Sequence, residues 1–86
     1  MNNEFMMEEF VLIYAFRYAL GRKSYAVDDM ITTINRLKDK LSNKTKGIII
    51  RDINEICERY DGIDSSFIYL DRWTELKETL EKDYVV

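Results

Sequence analysis

The chain has 86 residues, a formal net charge of −3, one cysteine, no histidine and no proline. Without histidine it lacks the commonest general base and the commonest transition-metal ligand, and one cysteine builds neither an internal disulfide nor a structural zinc site. A chain this short buries about 60% of its unfolded surface on folding, which allows one small core and therefore a single domain, residues 1–86.

The hydrophobic share of 47% belongs to a globular protein and excludes a disordered one. Secreted domains of this size usually carry several disulfides, so the lone Cys57 points to a reducing cytoplasm. Met1 to Glu9 is acidic where a leader is basic. The longest uncharged apolar run, Phe10 to Phe16, is seven residues, against about 20 for a membrane span. The expectation is a cytoplasmic protein that neither crosses a membrane nor leaves the cell.

The first predicted helix covers roughly Asn3 to Leu20 and is apolar almost all round, broken only by Glu4, Glu8, Glu9 and Arg17. Such a helix is buried on most sides, which predicts a place at the centre of the fold. The alternative is that its excess apolar surface forms a dimer interface. The glutamates suit the positive end of the helix dipole, and Gly21 is placed to end the helix in a left-handed conformation.

Ser24 is the predicted cap of a second helix, roughly Tyr25 to Leu41. Its apolar residues Val27, Met30, Ile31, Ile34, Leu37 and Leu41 recur at three- and four-residue steps, the cleanest amphipathic pattern in the chain. Ser42 or Asn43 caps a third helix running to about Tyr60, striped by Ile49, Ile53, Ile56 and Tyr60. Gly47 to Ile50 also reads as a short buried strand, but the length of the periodic segment favours helix. Asp61-Gly62 ends it. Asp64 or Ser65 opens a fourth helix, roughly Ser66 to Asp83, with Tyr69, Trp73, Leu76, Leu80 and Tyr84 on one stripe. The expected fold is all-α, a compact bundle of four helices joined by short loops.

No catalytic, cofactor-binding or metal-binding residues are expected. Gly21-Arg22-Lys23-Ser24 lacks the upstream glycine and the Gly-Lys pair of a phosphate-binding loop. The acid pairs Asp28–Asp29 and Glu55–Glu58 read as solvated helix faces, and Cys57 as a small apolar residue at the edge of a stripe.

Charge is strongly segregated. Residues 1–9 carry three acids and no base, residues 10–51 nine bases and three acids, and residues 52–86 ten acids and four bases. Arg36, Lys38, Lys40, Lys44, Lys46 and Arg51 crowd the predicted turn between helices two and three, a patch able to engage phosphates. Its alternative is a solvated loop whose lysines suit the dipole of the second helix. The acidic final third suits a basic protein groove, including one that normally holds nucleic acid. Arg17, Tyr18, Arg22, Lys23 and Tyr25 form a second cluster, of residue types enriched at interface hot spots. Its alternative has Tyr14 and Tyr18 packed inward and the Arg17 stem laid across its helix.

Tyr14 to Val27, YAFRYALGRKSYAV, resembles a signature of small proteins encoded by tailed phages and integrated mobile elements. In that group a Tyr-Ala-Phe-Arg-Tyr-Ala-Leu-Gly-Arg run is followed by a variable residue, Ser or Thr, and Tyr-Ala-Val. Tyr14 to Arg22 and Ser24 to Val27 match position by position, Lys23 stands at the variable place, and Gly62 and Trp73 resemble a later glycine and Trp-containing helix. The abundance of Ile, Lys, Tyr, Asn, Phe and Met, residues with AT-rich codons, fits such an origin. The resemblance implies a phage context. Small, acidic, non-enzymatic phage proteins often bind and block host defence machinery, anti-CRISPR proteins among them, so with the missing catalytic groups and the segregated charge the expectation is such an inhibitor, with a host protein or ribonucleoprotein complex as partner. The rival expectations are a nucleic-acid-binding accessory protein using Lys38, Lys40, Lys44 and Lys46, and a structural homo-oligomer.

Overall fold

The structure, a computed structural model, describes residues 7–22, 26–62, 69–82 and 84. Among them are four α-helices and no strand: α1 (Met7–Ala19), α2 (Ala26–Leu37), α3 (Asn43–Arg59) and α4 (Leu70–Glu81), with one 3₁₀ turn, Lys38–Lys40, after α2. The all-α four-helix bundle expected from the periodicity is therefore the fold.

Each helix begins and ends for local reasons. Glu8 and Glu9 lie in the first turn of α1 and Arg17 in its last, all favourable to its dipole. Gly21 follows at φ +83°, and a Cβ there would stand 2.6 Å from Ile56 Cδ1. Glycine takes the left-handed backbone without strain and leaves room for the Ile56 methyl where the turn meets α3. The cap predicted at Ser24 lies outside the described residues. The second helix was expected to run to Leu41. Instead it tightens into the 3₁₀ turn after Leu37, a common way for a helix to finish.

Ser42 caps α3, its hydroxyl accepting the Thr45 N–H at 3.2 Å. Gly47 to Ile50 lies inside this helix, which removes the strand reading. A second group serves the same helix end. Glu9 of α1 accepts the Ser42 N–H at 2.9 Å and the Thr45 hydroxyl at 2.7 Å. Its carboxylate thus sits at the positive end of α3 and holds α1 to it. Helix α4 starts at Leu70, later than the predicted Ser66, behind Tyr69 in the left-handed region at φ 58° and without a side-chain cap. The expected caps Asp64 and Ser65 lie outside the described residues.

The helices pack in the cyclic order α1, α2, α4, α3. Thus α1 and α4 occupy one diagonal and α2 and α3 the other. The molecule measures 44 × 26 × 18 Å, and the short dimension is about two helix layers at 8–10 Å each. Leu12, Phe16, Val27, Ile31, Ile34, Ile49, Ile53, Trp73, Leu76 and Leu80 build the core. At its middle Phe16 meets Trp73 across the α1–α4 diagonal, edge to face, with ring centroids 5.5 Å apart. The Trp73 ring is fully buried, and its indole N–H has no acceptor among the described residues. At the margin, a Cβ on Gly47 would come within 2.9 Å of the Tyr84 hydroxyl, so α3 is bare where the end of the chain returns onto it.

The central position expected for the first helix is not found. Four helices in a square have four corners and no centre, so each buries one face. The inner face of α1 carries Glu9, Leu12, Ile13, Phe16 and Ala19, while Phe10, Val11, Tyr14 and Tyr18 face solvent.

Candidate interaction surfaces

The outer face of α1 is its most unusual feature. At 3.6 residues per turn, Glu9, Leu12, Ile13, Phe16 and Ala19 centre on one side of the helix. Phe10, Val11, Tyr14 and Tyr18 centre about 180° away. These four are 56%, 61%, 79% and 65% exposed. A helix in a globular protein usually turns polar residues outward, so α1 is apolar on two opposite sides. The alternative in which Tyr14 and Tyr18 pack inward is overturned: with Leu12 and Phe16 fixed in the core, their register points both rings outward. Phe10, Ile13, Tyr14, Arg17 and Tyr18 bound a shallow groove of about 410 Å³ along this face.

The arginines beside the face are held in place. Arg17 donates from Nε to Asp52 Oδ2 on α3 at 2.7 Å. Arg51 Nε lies 3.5 Å from the other oxygen of the same carboxylate. Asp52 is largely buried and Arg17 half exposed, so Arg17 ties α1 to α3 with the edge of its guanidinium still reachable from solvent. The Arg22 guanidinium lies 4.4 Å from the Tyr18 ring centroid, a cation–π contact that orders the end of the stripe. Of the residues predicted to cluster around this turn, Tyr18 and Arg22 are in contact and Arg17 turns to Asp52 on α3. Lys23 and Tyr25 lie outside the described residues.

The basic turn before α3 is less coherent than its sequence. Arg36, Lys40 and Lys44 are exposed, and Lys38 is half-buried. Lys46 is buried at 8% exposure, which corrects its expected place in an open patch. The helical register from the Ser42 cap puts position 46 on the core side of α3, next to fully buried Thr45. Asp39 stands exposed among the remaining cations.

Helix α4 presents a third surface. Trp73, Leu76 and Leu80 face the core, while Asp71, Glu75 and Glu78 are exposed on nearly the opposite side. None of these three carboxylates joins an ion pair among the described residues. At 1.5 Å rise per residue they follow one another at about 5 Å along the helix axis, a charge spacing of the same order as the 3.4 Å between phosphates along one nucleic-acid strand.

Among the described residues no group of three or more acidic or thiol side chains is arranged to hold a metal ion, and no helix is long and apolar enough to cross a membrane. Fold and surfaces together define a helical bundle with charged and aromatic outer faces. Comparisons of the chain with models of protein families, with curated proteins and with solved structures find no match.

Proposed function

We propose that this protein comes from a phage or mobile element and inhibits a host defence complex, CRISPR–Cas or a related system, by stoichiometric binding in the bacterial cytoplasm. It acts without turnover. The observation that carries the reading is the row of exposed carboxylates Asp71, Glu75 and Glu78 on the outer face of α4, which join no ion pair among the described residues. A rigid helix with this charge spacing suits a basic groove that normally tracks a nucleic-acid backbone, and it would keep that groove from its own ligand. The Tyr14 to Val27 signature supplies the phage context.

Plasmid-interference or plaque assays in hosts carrying matched defence systems test the reading. Wild-type protein should restore plasmid or phage survival, and the triple variant Asp71→Lys/Glu75→Lys/Glu78→Lys should lose that effect while keeping its helical circular dichroism. Unchanged survival against every defence system tested, or full inhibition by the triple variant, removes the reading.

A further inference from the structure

We propose that the protein is a homodimer in which the outer faces of two α1 helices pack against each other antiparallel. Three features of this face specify a second copy as its occupant. Val11, Tyr14 and Tyr18 are spaced three and four residues apart, the spacing of a helix-pairing seam. In an antiparallel pair centred between Leu12 and Ile13, Val11 of one copy lies opposite Tyr14 of the other. The groove beside Phe10 and Ile13 is then available to receive a ring from the partner helix.

The second feature is area. An aromatic side chain offers about 150–250 Å². Phe10, Tyr14 and Tyr18 at 56%, 79% and 65% exposure, with Val11 at 61%, therefore present roughly 500 Å² per copy and roughly 1,000 Å² in a pair. That reaches the threshold of a specific interface, and it lies near the top of what a monomer usually leaves exposed in one patch. The third feature is charge. Arg17 and Arg22, both exposed, stand at the carboxyl end of the face. Antiparallel packing keeps the arginines of the two copies at opposite ends and opposes the two helix dipoles, whereas parallel packing sets like charges side by side. The proposal does not rest on the inhibitor reading, because α4 stands on the far corner of the bundle and stays open in the dimer.

Sedimentation equilibrium of the full chain, from low micromolar to near-millimolar concentration, should show the mass rising from one chain to two. Tyr14→Ser and, separately, Val11→Ser should each raise the dimer dissociation constant about tenfold or more with circular dichroism unchanged. Orientation is read with a spin label on Arg22→Cys in a Cys57→Ser background. The antiparallel pair places the two labels about 20 Å apart or more, because the carboxyl ends of the two α1 helices, at Ala19, are then some 13 helical positions of 1.5 Å apart along the axis. A parallel pair would bring them to about 10 Å. A strict monomer throughout the range, a dimer indifferent to both serine variants, or closely spaced labels would each overturn the proposal. So would a monomer that instead binds anionic lipid vesicles through this face.

Discussion

Helices α1 and α4 stand at opposite corners of one bundle and meet across its middle, where Phe16 packs against Trp73. Their inner faces do the same work, filling the core with large apolar side chains. Their outer faces diverge. On α4 the outward residues are Asp71, Glu75 and Glu78, the hydrated surface that a bundle of this size needs to remain dispersed. On α1 they are Phe10, Val11, Tyr14 and Tyr18, a surface that water disfavours. Folding cannot account for this difference, since both helices are already anchored from the inside. The apolar outer face and the acidic one stand on opposite sides of the molecule, so the association and the recognition proposed above would not compete for one surface.

The comparison breaks first at its inner faces. Trp73→Ala should destabilise the monomer by about 3–5 kcal/mol, read by urea denaturation, because it empties the middle of the core. A loss below 1 kcal/mol would mean that α4 is not anchored as described. Glu9→Ala should destabilise by about 1–3 kcal/mol, since it strips the Ser42 N–H and the buried Thr45 hydroxyl of their acceptor. Gly21→Ala should fall in a similar range, about 1–3 kcal/mol, from the left-handed backbone and the close approach of Ile56. A double-mutant cycle of Phe16→Leu and Trp73→Phe isolates the diagonal ring contact, with an expected coupling of about 0.5–1.5 kcal/mol. The smallest effects belong outside. Tyr14→Ser and Glu75→Lys should each shift monomer stability by no more than about 0.5 kcal/mol, measured at concentrations too low for association. A large shift from either would show that its outer face serves folding after all.

Helix number, order and the inner stripes were legible in the sequence because three- and four-residue periodicity is a local property. Val27, Ile31 and Ile34 on α2, and Ile49, Ile53 and Ile56 on α3, all face the core as their spacing requires. The Ser42 cap and the Gly21 stop were legible for the same reason. What depended on packing was not. An all-round apolar α1 reads as central, and only the square arrangement of helices shows that one of its sides stays uncovered. Lys46 reads as part of a charge run because the run ignores helical register, and register carries it inward. Glu9 reads as a dipole partner of its own helix, whereas its hydrogen bonds go to a helix more than thirty residues away. The signal for the outer seam was present in the spacing of Val11, Tyr14 and Tyr18, hidden by the second apolar stripe on the same helix.

The carboxylate of Glu9 has a consequence for how the chain assembles. A peptide containing only α3 would keep its own serine cap but lack the anion that quiets its first turn, so it should fray there. During synthesis the opening helix emerges well before the amides it will satisfy, and neither segment is complete until they meet. Such mutual dependence favours a single cooperative transition over stepwise accumulation of independent helices.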